Sequence, residues 1–235
     1  MGDVMNIPLY NLIMVGEKMT FADNNLHEKN GVVFWDKNNT YIGVDVNIGE
    51  GTVILPFCIV EGDTVIGKNC TIGANTHLID MKIGDNVHIR HTVAEKSFID
   101  DGCVVGPFAQ IRPNTKLAKG VKIGNFVEVK QSVIGENSKA NHLSYVGDAI
   151  IGNDVNIGCG TITVNYDGKN KHTTTIEDGV FVGCNANLIA PVTIGKNATV
   201  AAGSTISKNV PPNALAVARA KQDNKEGWVA PKNRG

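Results

Sequence analysis

The sequence predicts a mainly β protein, a parallel β-helix built from six-residue units. Three observations predict it. An aliphatic residue returns about every six positions from Ile42 to Ile206, with a few slips of phase. Glycine often follows that aliphatic, as at Gly49, Gly67, Gly84, Gly135 and Gly195. Aromatic residues make up 6% of the chain and glycines number 26, which suits a narrow core with many corners better than a sandwich or a bundle.

The period assigns every side chain an address. Each unit is one short strand and a turn. Its first and fifth places point inward, and its sixth and second places point outward. Glycine or a polar residue serves the corner. One unit cannot bury its own apolar face, so coils stack and their backbones pair. Three units make a triangular coil of eighteen residues, the spacing of Arg112 and Lys130. The period itself does not fix the hand of the coil. Residues 1–30 lie outside it and are read as a flexible or packing arm. Residues 31–206 form the β-helix, with Phe34, Trp35 and Tyr41 expected to plug its first coil. Residues 207–235 follow, where SKNVPP breaks the strand pattern and Ala214 to Trp228 is expected to form a short helix and tail.

Composition narrows the function. The chain has 235 residues and a formal charge of -1, so no charge excess points to nucleic acid or to an anionic membrane. No apolar run is long enough to span a bilayer and no signal peptide opens the chain, so a soluble, cytoplasmic protein is expected. Five cysteines without a C-x-x-C spacing argue against disulfides or a zinc site. Cys58, Cys70 and Cys103 fall on inward fifth places and are read as packing residues. Cys159 and Cys184 fall on third places, at a corner.

Aligning successive coils groups the polar residues. Arg112, Glu128, Lys130 and Tyr145 project from one outward face. Two cations one rung apart, roughly 5 Å, repel unless an anion lies between them. A phosphate is the natural anion, and a solvated charged face is the alternative. A second column runs along a corner through Asn125, His142, Cys159, Cys184 and Ala202. After His142 it is a ladder of small side chains. Three rungs span roughly 14 Å, enough to carry much of a pantetheine arm, although turns also simply favour small residues. His142 stands between the two groups, where a neutral imidazole can take a proton from an amine. The period breaks between Thr163 and Ile176. The extra segment contains N-Y-D-G, which suits a tight turn, and a loop here can bring Lys171 over the cationic face. Asn156 lies outward on the far side of the His142 corner. A convex edge does not enclose a ligand, so a neighbouring subunit is expected to close the site, most simply in a symmetric trimer.

The motifs IRP, GNFVEVK, SKANHLSYVGDA, NIGCGT and NYDGKNK, with ALAVARAKQ later, are more specific than the generic period. Over about residues 31–228 they closely resemble the C-terminal acetyltransferase domain of the bacterial bifunctional glucosamine-1-phosphate acetyltransferase / N-acetylglucosamine-1-phosphate uridylyltransferase family. The resemblance implies a left-handed β-helix homotrimer with sites between subunits. It implies acetyl transfer from acetyl-CoA to the amine of glucosamine 1-phosphate, for UDP-GlcNAc synthesis, with no metal needed for that step. It implies His142 as general base, and Arg112, Lys130 and Lys171 as ligands of the sugar phosphate. Glu128, Tyr145 and Asn156 would hold the sugar, and CoA would contact Cys159, Asn165, Tyr166, Cys184, Ala202 and Arg219. Positions 159 and 184 depart from the family, which often has Ala and Ser there. Both residues are still small. No L-x-x-G-x-G-T-R-M-like nucleotidyltransferase signature occurs, so uridylyl transfer is not expected of this sequence. Acetylation of another, nucleotide-linked amino sugar and a non-catalytic β-helix scaffold are the alternatives. The related γ-class carbonic anhydrase architecture needs three zinc histidines, whose spacing His77, His88 and His91 do not reproduce.

Overall fold

The computed structural model describes residues 21–229. Short parallel strands stack into three faces of eleven, ten and nine strands, each strand pairing with those one coil before and after it. The fold is the parallel β-helix expected from the period. The first face runs from Val33–Phe34 to Leu215–Ala216, the second from Tyr41–Ile42 to Thr205–Ile206, and the third from Asn47–Ile48 to Val192–Ile194.

The inward places form one core. Ile42, Ile54, Ile72, Leu78, Ile89, Ile99 and Ile111 are all sealed from solvent. Fifth places carry small hydroxyls as often as aliphatics, and many of these bond the backbone at the corners, although Thr76, Thr161 and Thr174 do not. Thr52 Oγ1 donates to Gly67 O at 2.8 Å and accepts from Cys70 N at 3.0 Å. Ser138 Oγ does the same with Gly152 O at 2.7 Å and Val155 N at 2.9 Å. The three inward cysteines follow this pattern. Cys58, Cys70 and Cys103 are buried, and each Sγ lies 3.1 Å from a carbonyl of the next coil. Burial pushes the Cys58 and Cys103 thiols up to about 11, so they stay protonated.

Several corners need a left-handed residue, and asparagine or aspartate supplies it at Asn69, Asn86, Asn137 and Asp154. Gly124 answers a different need. It lies in the strand Lys122–Asn125, and a β-carbon there would overlap the Asn141 carbonyl of the next rung.

The two ends of the prism differ from expectation. The short helix expected within Ala214 to Trp228 is not formed. Leu215–Ala216 instead adds a strand to the first face, in register with Thr199–Val200. The last full coil leaves open donors, and the tail meets them: Thr199 N donates to Ala214 O at 2.8 Å and Ala201 N to Ala216 O at 2.9 Å. Satisfying that edge outweighs a weak helix propensity so close after Pro211 and Pro212. At the other end Phe34 packs against the core, but Trp35 is 71% exposed and Tyr41 45%, so neither plugs the first coil. That role falls to the helix Asn24–Lys29, whose Asn24 Nδ2 donates to Thr40 O at 2.9 Å and whose His27 is buried. The rest of the expected arm, residues 1–20, lies outside the described residues, as do residues 230–235 of the tail.

Because the Gly124 clash is with backbone, it cannot be relieved by a rotamer change. Gly124→Ala is expected to cost about 2 kcal/mol or more, read as a lowered midpoint in thermal or urea unfolding; an unchanged midpoint would contradict the close approach.

Candidate active site

The second face brings the expected polar residues together. Gln110, Glu128 and Tyr145 share one column, and Lys130 stands opposite Gly147 in the next. Arg112 Nη1 donates to Glu128 Oε1 at 2.8 Å. Gly147 leaves room beside Lys130, since a β-carbon there would collide with the Tyr145 hydroxyl. The phenol therefore lies along the face, where Asn165 Nδ2 donates to its oxygen at 3.3 Å.

The loop after the strand Ile162–Val164 folds as a tight turn before Thr174–Ile176 begins. Asp167 Oδ1 accepts from Lys169 N at 2.7 Å and Asn170 N at 2.6 Å, and its Oδ2 lies 2.7 Å from His172 Nε2. The Asn170 amide, then His172 and the Lys169 amide, hold the Asp167 carboxyl well below the usual carboxylate range. The turn delivers Lys171 to the cationic face. Its Nζ lies 4.0 Å from Asp148 Oδ2, and Lys130 Nζ lies 3.8 Å from the same oxygen. Asn165 Nδ2 also donates to that oxygen.

Asp148 was not among the expected site residues, yet it is the anion between the lysines. Two unit charges about 4 Å apart repel by about 4 kcal/mol at an effective dielectric of 20, so a counter-charge is needed there. Arg112 pairs with Glu128 and has Glu95 on the preceding rung, whereas Lys130 and Lys171 share the one carboxylate of Asp148, which leaves a positive excess at the two lysines. The Lys171 ammonium, then burial, pulls Lys130 below the ordinary lysine value.

The corner column forms as aligned. Asn125 and His142 are register partners, and the ladder continues through Asn185 N to Cys159 O at 2.7 Å and Gly203 N to Cys184 O at 2.8 Å. Cys159 is half-buried and Cys184 exposed. Arg219 comes back from the tail to the far end of the ladder, where its Nη1 donates to Ala202 O at 3.0 Å. His142 is exposed, with Nδ1 3.0 Å from Asn125 Oδ1. The amide oxygen can only accept, so this bond selects the neutral tautomer with the proton on Nδ1 and the lone pair on Nε2. The period puts Asn125 in this column and gives it no role.

Two expected residues stand apart from this assembly. Asn156 lies on the first face, in register with Lys139 and Phe181, around the corner from Arg112 and Lys130. Tyr166 is exposed on the loop, with its hydroxyl donating to Gly168 O at 2.6 Å. His77 pairs with Glu61 at 2.7 Å, and no cluster of three or more metal-ligating side chains occurs among the described residues.

The model of the GMPPB C-terminal domain matches residues 93–167, and that of the bacterial transferase hexapeptide (six repeats) matches residues 45–80 and 173–208. The chain is 60% identical over 203 residues to a protein named bifunctional protein GlmU from Geobacillus sp. (strain WCH70). Over these residues the chain is a homologue of proteins named GlmU. The match takes in 86% of this chain and 44% of that relative. A GlmU from Thermotoga maritima is 53% identical over 206 residues, 88% of this chain and 46% of its own length. The chain thus spans less than half the length of these relatives. Its fold is the left-handed hexapeptide β-helix. The crystal structure of Arabidopsis UDP-N-acetylglucosamine acyltransferase shares that fold, with a TM-score of 0.54 at 17% identity over 79% of this chain and 69% of that one. No helix among the described residues is long and apolar enough to cross a membrane.

The charged form of Lys130 is the one that binds an oxyanion, and its value lies below 10.5. Affinity for inorganic phosphate, measured by calorimetry from about pH 8 to about pH 10, is expected to fall before the ordinary lysine range is reached. Constant affinity across that range would remove Lys130 from the anion subsite.

Proposed function

We propose that the chain transfers acetyl from acetyl-CoA to the amine of glucosamine 1-phosphate, giving N-acetylglucosamine 1-phosphate. The observation that carries this reading is the place of His142. Its Nδ1 is tied to Asn125, its Nε2 is free, and it stands at the head of a small-residue ladder and beside a cationic face. The homology to GlmU proteins supports the same reaction, as does the resemblance of the site motifs.

The sugar phosphate binds Arg112, Lys130 and Lys171, with Glu128 and Tyr145 on the sugar hydroxyls. The pantetheine arm lies along Cys159, Cys184 and Ala202, with Asn165, Tyr166 and Arg219 flanking it. His142 Nε2 takes a proton as the amine attacks the thioester carbonyl. The C–N bond forms, backbone N–H groups near Cys159 stabilise the tetrahedral oxyanion, and the C–S bond breaks. The proton on His142 then passes to the departing CoA thiolate. Asn125 keeps the imidazole in the tautomer this requires.

A second copy of the chain completes the site in a homotrimer. Asn156 lies around the corner from the sugar residues of its own chain, so it serves a neighbour's site. Beside the Asn125–His142 column runs an apolar one, Phe108, Phe126 and Leu143, each exposed and each in the left-handed region at φ 58, 56 and 43. The phenyl rings stack with centroids 5.5 Å apart. Bulky side chains are rare at such angles, and a neighbour packed over this column accounts for keeping them there.

Thiol release from acetyl-CoA, dependent on glucosamine 1-phosphate, tests the activity; turnover with UDP-amino sugars instead, or none at all, would replace it. His142→Ala is expected to lose about 10²–10⁴-fold in kcat while binding CoA normally, and full turnover would remove His142 as base. For the shared site, inactive His142→Ala and Asn156→Ala chains are unfolded and refolded together. Mixed trimers are expected to recover about a quarter of wild-type activity, whereas no recovery would place both residues in one chain's site.

A further inference from the structure

Asp148 occupies a corner that is otherwise open. Lys96, Asn114 and Gln131 hold the same left-handed corner on the three preceding rungs, at φ 44, 63 and 47, and Asn114 and Gln131 are exposed. Asp148, at φ 50, is 8% exposed. The inserted loop makes the difference: Asn165 covers the carboxylate, and Thr174 N returns to Asp148 O at 3.2 Å. A carboxylate is costly to bury without partners. Here one oxygen accepts a hydrogen bond from Asn165 Nδ2 and forms ion pairs with Lys130 Nζ and Lys171 Nζ. Asp148 takes no part in the proton transfer proposed above.

We propose that Asp148 is a positioning residue of the oxyanion subsite: it holds Lys130 and Lys171 charged and adjacent, and through Asn165 it anchors the loop that carries Lys171. The proposal rests on the reading of this face as the sugar-phosphate subsite. The geometry gives the carboxylate two separable tasks. Its charge offsets the mutual repulsion of the ammonium groups before any ligand arrives. Its hydrogen bond fixes Asn165, the first residue of the loop, and so sets where Lys171 emerges. The groups around Lys130 are Glu128 on its own strand, Arg112 and Tyr145 from the rungs on either side, Asp148 from the corner and Lys171 from the loop. Among these, Asp148 is the carboxylate not already paired to Arg112.

Asp148→Asn removes the charge and keeps an oxygen for Asn165; Asn165→Ala keeps the charge and frees the loop. In Asp148→Asn, KM for the sugar phosphate is expected to rise about tenfold, with KM rather than kcat carrying the loss. The alkaline limb of its kcat/KM profile is expected to move about one pH unit lower. Asn165→Ala is expected to raise the same KM without moving that limb. The amine of Lys130 is also titrated in the ligand-free protein by 15N NMR, where Asp148→Asn is expected to lower its midpoint. That readout needs no substrate. A lowered midpoint in a protein that does not acetylate glucosamine 1-phosphate would sink the functional reading and leave the positioning role standing. An unmoved midpoint and an unmoved alkaline limb, in a variant folded by circular dichroism, would overturn the proposal.

Discussion

In-register stacking of short parallel strands is the constraint on which everything else depends. Arg112 N bonds Val129 O at 2.8 Å, Glu128 N bonds Ser144 O at 3.0 Å, and Tyr145 N bonds Thr161 O at 3.1 Å, rung after rung. Such pairing fixes the spacing of neighbours near 5 Å and leaves no freedom of register. Like residues must therefore stack on like. Inside, this produces columns of isoleucine and valine capped at the corners by hydroxyls and thiols, several of them, such as Thr52 and Cys103, bonded to a carbonyl one coil on. Outside, it turns any repeated charge into a problem of repulsion that a ligand or a counter-charge has to answer.

The cationic face shows that problem and its answer. Arg112 takes Glu128 from the next rung, which leaves Lys130 to be balanced from elsewhere. The rung beyond offers Gly147, which has no side chain to give. The counter-charge comes from the corner instead, through Asp148, and the loop closes over it. The residual positive charge then sits where Lys130 and Lys171 converge. A phosphate meeting this surface finds both ammonium groups already gathered, so less of their ordering has to accompany binding.

Much of this was legible in the sequence because the period converts residue number into position. The Arg112–Lys130 spacing and the inward places of Cys58, Cys70 and Cys103 follow from counting in sixes, and the His142–Cys159–Cys184–Ala202 column from the same count once the five-residue units and the loop are each taken as one turn. What the count missed lies where the count does not run. Asp148 is a corner residue one step past the strand, and its burial depends on a loop outside the period. The bond from Asn125 to His142 is a matter of side-chain reach, which register allows but does not dictate. The tail failed for a third reason. Helix propensity over Ala214 to Trp228 is a local preference, and the open edge of Thr199–Val200 is a long-range demand that overrides it.

The inserted loop shows why a solenoid of this kind can carry a site at little cost to its stability. Val164 leaves the second face and Thr174 enters the third, yet the flanking strands keep their partners on both sides. Ile162 still pairs with Tyr145 and Asn187, and Thr174 with Ala149 and Val192. A corner residue owes little to the ladder, so extra residues there break no rung, and the closure entropy of a short loop grows only slowly with its length. The excursion also spans two neighbourhoods at once. Asn165 turns inward to Tyr145 and Asp148, while Tyr166 next to it faces outward. Consecutive residues on one tight turn thus touch the cationic face and the open surface beside it. Any shift of the turn must move both together, which ties the two halves of the site to the one carboxylate beneath them.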